Sequence, residues 1–159
     1  CSMSSVLLVE DDENHASLFI RSFEDMNMGR IYWVSDGEQA LDFLLHRGRY
    51  VDSSISPRPD LILLDLRLPR MDGLDLLKEI KRSEDLRSIP VVILTTSKNR
   101  HDIRNAYMNH ANSYLIKPLG FNKFQELART VCTYWLTWNT LPPRGDAPNK
   151  NAAENASMA

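Results

Sequence analysis

The stretch Pro57-Arg-Pro-Asp60-Leu61-Ile-Leu-Leu64-Asp65-Leu-Arg67-Leu-Pro69-Arg-Met-Asp72-Gly73 decides the architecture. Two prolines and an acid interrupt what precedes it, four branched apolar residues follow without a break, and the run ends on Asp65 ahead of a turn containing Pro69 and Gly73. An apolar run with no in-out alternation is the pattern of a strand covered on both faces, which calls for parallel neighbours and helices above and below. Val6-Leu-Leu-Val9, Ile31-Tyr-Trp-Val34, Val91-Val-Ile-Leu94 and Tyr114-Leu-Ile116 repeat the pattern. Amphipathic stretches at 13–26, 38–45, 74–81, 102–108 and 121–138 separate or follow the runs and predict helices. Strand and helix alternate five times, which implies an α/β class: a doubly wound five-stranded parallel sheet with right-handed crossovers.

Composition narrows the function classes. A chain of 159 residues, 43% hydrophobic, is long enough for one buried core and too short for two ordinary domains. Its 19 basic and 21 acidic residues leave a net charge of -2 without a dense Lys/Arg cluster, which argues against a nucleic-acid or anionic-membrane surface. Cys1 and Cys132 have neither disulfide nor zinc spacing, so a cytoplasmic setting fits. No apolar run approaches the roughly 18 residues that a membrane span requires. Residues 1–4 carry no information. The Pro- and Ser-rich segment 49–59 reads as a surface loop. The domain is expected over 5–141, and residues 142–159 form a polar tail with almost no large apolar side chain to hold it, expected to be disordered.

The chemistry lies at the strand ends. Ligands of open α/β sheets bind outside the carboxyl ends of the strands, and here Glu10 and Asp11 close the first strand, Asp65 the third, Thr95 the fourth and Lys117 the fifth. In the flavodoxin-like order these four strands are neighbours, and the groups converge. Three carboxylates in one pocket require raised pKa values or a hard dication such as Mg²⁺. With Lys117 as a further cation and Thr95 as a hydroxyl donor, Asp65 is the natural nucleophile toward phosphorus, giving a hydrolysable acyl phosphate.

The sequence resembles the response-regulator receiver domain over about residues 5–138. The residues that carry the likeness are Val-Leu-Leu-Val-Glu10-Asp11, Leu-Leu-Asp65-Leu-Arg-Leu-Pro69 through Gly73, Pro90-Val-Val-Ile-Leu-Thr95-Thr-Ser97 and Ser113-Tyr114-Leu-Ile-Lys117-Pro118. The resemblance implies strand order 2-1-3-4-5 and Asp65 as phosphoacceptor from a histidine kinase. It also implies Mg²⁺ (or Mn²⁺) on Glu10, Asp11, Asp65 and the main-chain carbonyl of Arg67. Lys117 would contact the phosphoryl group, and Thr95 and Tyr114 would form the switch pair. Asp12 falls one place past the acidic pair and reads as the cap of the following helix. Asp36-Gly37-Glu-Gln-Ala-Leu-Asp-Phe-Leu, Arg47-Gly-Arg-Tyr50 and Trp135-Leu-Thr-Trp138-Asn-Thr-Leu141-Pro142 are similar to the stand-alone regulators that partner phytochrome-type kinases, which implies a bacteriophytochrome as donor.

Blander readings compete. Acids at strand ends commonly cap helices, Lys117-Pro118 can be a plain turn, and Tyr114 an ordinary strand aromatic. His15, His46, His101 and His110 lack paired metal spacing and are read as surface or packing residues. The apolar stripe Phe124, Ala128, Val131, Trp135 and Trp138 predicts a homodimer through the end of the last helix and Leu141-Pro142-Pro143. The chain is expected to catalyse nothing beyond its own phosphorylation and dephosphorylation. The alternatives are a phosphorylation-independent interaction module and an aspartyl-nucleophile phosphatase. The latter places a D-x-D motif after strand one, where this chain has Glu10-Asp11-Asp12.

Overall fold

A computed structural model describes residues 3–144. Strands β1 (Ser4–Val9), β2 (Gly29–Val34), β3 (Leu61–Leu64), β4 (Val91–Thr95) and β5 (Ser113–Ile116) alternate with helices α1 (Glu13–Met26), α2 (Gly37–Leu45), α3 (Gly73–Arg82), α4 (Arg100–Met108) and α5 (Phe121–Thr133). All strand pairs are parallel, in the order β2-β1-β3-β4-β5, as expected. The register sets Val9 beside Leu64 and Leu64 beside Ile93, so the carboxyl ends of the three central strands finish nearly level.

The unbroken apolar runs arise because each strand feeds two cores. Leu7, Val9, Ile62, Leu64, Val91 and Ile93 face α2 and α3 on one side. Val6, Leu8, Leu61, Leu63, Val92 and Leu94 face Phe19 and Phe23 of α1 and Phe124 and Val131 of α5 on the other. Successive strand residues point to opposite faces, so both parities must be apolar. Burying each of these large side chains is worth about 1.5–3 kcal/mol.

Local signals set the helix ends. Asp12 caps α1, its Oδ1 accepting from the amides of Asn14 (2.9 Å) and His15 (3.1 Å); Asp36 caps α2 through the Gln39 amide at 2.8 Å. Asn27 and His46 end their helices in the left-handed conformation. Gly73 opens α3 against the acceptor loop: a Cβ there would sit 2.2 Å from the Asp65 carbonyl oxygen, so only glycine permits the approach.

Several segments differ from the sequence reading. β1 already begins at Ser4, inside the segment read as uninformative. Segment 49–59 is the expected surface loop, exposed over most of its length, but it is anchored at Tyr50, Ser56 and Pro59. A single 3-10 turn (Gly48–Tyr50) leads into it, Tyr50 packs edge-on to Phe43, and Ser56 is fully buried with its hydroxyl donating to the Tyr50 carbonyl at 2.8 Å. The helix expected over 121–138 is α-helical only to Thr133, then widens into a π turn, Tyr134–Trp138, closed by Asn139 N–H to Tyr134 C=O. Of the polar tail, residues 142–144 return to the base of the sheet, where Arg144 meets Asp60 at 2.7 Å. The remainder, 145–159, lies outside the described residues. Among the described residues no helix is long and apolar enough to cross a membrane.

Candidate functional site

Three strand ends place the charged cluster. Glu10 follows β1; the Trp33 indole of β2 donates to its main-chain carbonyl at 2.7 Å, and its side chain turns inward. Asp65 follows β3, its amide bonded to the Val9 carbonyl at 3.0 Å, and the Arg67 amide donates to its Oδ1 at 3.0 Å. Lys117 follows β5, its amide bonded to the Thr95 carbonyl at 2.7 Å. The Lys117 ammonium is buried and donates to Glu10 Oε2 (2.5 Å), Asp65 Oδ2 (2.8 Å) and His15 Nδ1 (3.1 Å). An ammonium has three N–H groups, so this set saturates it.

Asp11 stands beside this pair on the exposed side, and one carboxylate oxygen from each of Glu10, Asp11 and Asp65 lies within 4.8 Å of the others. Three carboxylates against one ammonium are out of balance. Burial, reinforced by the Asp65 charge, pushes the Glu10 carboxyl up to about 7 despite its bonds to Lys117. At Lys117 burial acts to lower the pKa, and the hydrogen bonds and charges of Asp65 and Glu10 outweigh it, so the ammonium lies above its usual range. Hard oxygen donors carrying surplus negative charge fit a hard divalent cation.

Thr95 is fully buried at the end of β4, and its hydroxyl makes only a long 3.4 Å contact, from the Ser97 amide. Tyr114, half-buried on β5, donates its hydroxyl to the Ser97 carbonyl at 2.9 Å. Burial raises its phenol pKa.

Three participants escaped the sequence reading. His15, assigned there to surface or packing, stacks on Phe124 with ring centroids 5.6 Å apart and accepts a Lys117 proton; its place in the first turn after β1, at the carboxyl end of the sheet, was the available clue. Asp102 and Ser97 are the other two, joined to Arg67: Asp102 Oδ2 accepts from the Arg67 guanidinium and from the Ser97 hydroxyl, each at 2.6 Å. No local motif marks that contact, because its partners are 35 residues apart. Arg144, by contrast, takes no part in this site; it binds at the opposite end of the sheet.

The family pattern of the response regulator receiver domain matches residues 6–129. The chain belongs to this family. This receiver domain is 51% identical over 139 residues to the probable methanogenesis regulatory protein FilR2 of Methanothrix harundinacea, covering 86% of each chain. It is 39% identical to response regulator Rcp1 of Synechocystis, over 86% of this chain and 92% of the relative. The Mn²⁺-bound structure of Rcp1 superimposes with a TM-score of 0.82, covering 88% of this chain and 99% of that one. The phosphorylated cyanobacterial phytochrome response regulator RcpA gives 0.85 at 35% identity, covering 89% and 100%. Stand-alone regulators of phytochrome signalling are thus among the homologues of this receiver. The cluster Glu10, Asp11 and Asp65 fits a divalent metal, and the Rcp1 structure holds Mn²⁺.

Proposed function

We propose that this receiver is a stand-alone response regulator that takes a phosphoryl group from a phosphohistidine onto Asp65 and changes its protein contacts in consequence. The observation that carries the reading is the Lys117 ammonium bridging Glu10 and Asp65 at 2.5 and 2.8 Å, with Asp11 completing an acidic triad. Glu10, Asp11, Asp65 and the main-chain carbonyl of Arg67 would hold Mg²⁺, with Mn²⁺ as a substitute. The bound ion supplies positive charge toward the phosphoryl oxygens. One Asp65 oxygen forms the new P–O bond while the P–N bond to the kinase imidazole breaks, the electron pair and then a proton going to that nitrogen. Lys117, freed from part of its carboxylate pairing, and the Thr95 hydroxyl then bind phosphoryl oxygens. Thr95 gains a strong partner in place of its 3.4 Å contact, and Tyr114 follows by re-forming or breaking its bond to Ser97. The domain, expected over 5–141, takes in Ser4 of β1 and the returning residues 142–144 as well, acts in the cytoplasm, and catalyses only its own phosphoryl turnover. No nucleic-acid or membrane partner is included.

The donor in this proposal is a bacteriophytochrome-type histidine kinase, which the likeness to RcpA and Rcp1 supports. The 51% identity to a methanogenesis regulator favours a second reading, in which a kinase with no photoreceptor is the donor. Self-association through the end of α5 completes the proposal. Trp138 and Tyr134 are 78% and 52% exposed there, whereas Pro142 and Pro143, expected in the same contact, line the base of the sheet. Phosphotransfer from a panel of autophosphorylated kinases with Mg²⁺ tests the core. One kinase should label the chain fastest and chelation should stop it; absence of labelling from every kinase and from small phosphodonors refutes the reading.

A further inference from the structure

The Arg67 side chain has no role in the reading above, which uses only its main chain. Its amide is bonded to Asp65 Oδ1 at 3.0 Å, so the residue begins beside the acceptor. Its guanidinium, 63% exposed, instead reaches across to α4 and donates to Asp102 Oδ2 at 2.6 Å. That oxygen also accepts the Ser97 hydroxyl at 2.6 Å, and the Ser97 carbonyl accepts the Tyr114 hydroxyl at 2.9 Å. A chain of three hydrogen bonds therefore runs from the residue next to the acceptor to the first turn of α4 and on to β5.

We propose that the Arg67 guanidinium is a second phosphoryl-binding cation, held by Asp102 in the resting protein and transferred to the phosphoryl group when Asp65 is modified. The inference rests on Asp65 being the phosphoacceptor. A phosphoryl group brings about 1.5–2 negative charges and three acceptor oxygens, against one charge on Asp102, and guanidinium pairs with phosphate in a bidentate fashion. The resting pair is largely open to water on the arginine side, and exposed ion pairs are individually weak. A weak pair facing a stronger competitor is what exchange requires. Its loss leaves Asp102 with Ser97 alone, at the start of α4, where the helix N-terminus still favours its charge. The Ser97 loop is then free to move, and with it the acceptor of the Tyr114 hydroxyl. This route reaches Tyr114 without passing through Thr95.

The test is a cycle with a stable phosphoryl mimic. Beryllofluoride binding with Mg²⁺ is followed by ¹⁹F NMR in the unmodified protein, Arg67→Gln, Arg67→Lys, Asp102→Asn and the Arg67→Gln/Asp102→Asn pair. Arg67→Gln should weaken mimic binding about tenfold, the loss of one charge-assisted contact. Arg67→Lys, keeping the charge without the fork, should fall between. Asp102→Asn, which frees the guanidinium beforehand, should strengthen binding about threefold, and that gain should vanish in the Arg67→Gln background. A merely structural surface pair predicts equal, same-sign effects of both single changes, and that result, or unchanged affinity in Arg67→Gln, overturns the proposal alone. Failure of the unmodified protein to take the mimic in an Asp65-dependent way overturns the phosphoacceptor reading as well.

Discussion

Asp60 and Asp65 flank the same four-residue strand and are similarly buried, yet they do opposite things. Asp60, at the amino end of β3, receives the Ser5 amide at 2.9 Å and two N–H groups of Arg144 at 3.1 and 2.7 Å. Burial acts to raise its pKa, but the Arg144 hydrogen bond and the Ser5 amide overcome this and hold the carboxyl below the ordinary range. One anion meets one cation, and the pair closes the base of the sheet. Asp65, at the carboxyl end, shares a single ammonium with Glu10 and stands within reach of Asp11. A buried acid is therefore not by itself a mark of function. Function lies where the acids outnumber the cations, because the deficit is made up by something from outside.

Removing each acid in turn separates the two ends most strongly. Asp65→Asn should abolish labelling by small phosphodonors. Asp60→Asn should leave the labelling rate unchanged and lower stability by about 1–2 kcal/mol, the worth of a hydrogen bond to a charged group. Denaturant titration and phosphate incorporation measured on both variants decide the matter, and equal labelling rates in both would erase the distinction. Next in size is Gly73→Ala. Its Cβ meets the Asp65 carbonyl at 2.2 Å, so the acceptor loop must shift, and a loss of about 3 kcal/mol with slower phosphorylation is expected. A stable, fully active variant would show that the acceptor loop tolerates displacement.

Acidity separates the two ends further. Glu10 has its carboxyl raised to about 7 in the metal-free protein, so ionising it weakens that state as pH rises from 4.5 toward 7, whereas metal binding needs the carboxylate. Mg²⁺ affinity, measured by calorimetry, should level off above pH 7 and fall by up to about tenfold per pH unit below it. Glu10→Gln should flatten the profile, and an affinity constant from pH 5 to 8 in the unmodified protein would contradict it. The smallest effect belongs to the base. Arg144→Ala should cost about 1 kcal/mol, since the guanidinium is half exposed. A lowered carboxyl pKa stabilises the fold above the unfolded value and ceases to do so in acid. The stability gap between Arg144→Ala and the unmodified chain should therefore be full at neutral pH and close as pH falls through and below 3.8.

What could be read in advance follows physical range. The five strands were legible because sheet burial imprints three or four consecutive apolar residues, and the ends of α1 because Asp12 and Asn27 act locally. Placement of Glu10, Asp65, Thr95 and Lys117 at neighbouring strand ends was legible for the same reason. His15 on Lys117, Arg67 on Asp102 and Arg144 on Asp60 were not, with 102, 35 and 84 residues between partners and no periodicity to betray them. The π turn of Tyr134–Trp138 was hidden because its apolar spacing is the same as that of an α-helix for its first residues.

Saturation of the Lys117 ammonium by Glu10, Asp65 and His15 also sets how the domain treats noise. A stray phosphate meets no spare N–H on Lys117 and must displace an existing partner before that ammonium can hold it. A donor that arrives with a docking surface behind it gains binding energy elsewhere with which to open the same contact. On the function proposed above, the third N–H, bonded to His15, makes the resting state a threshold that small phosphodonors should cross slowly and a matched kinase faster.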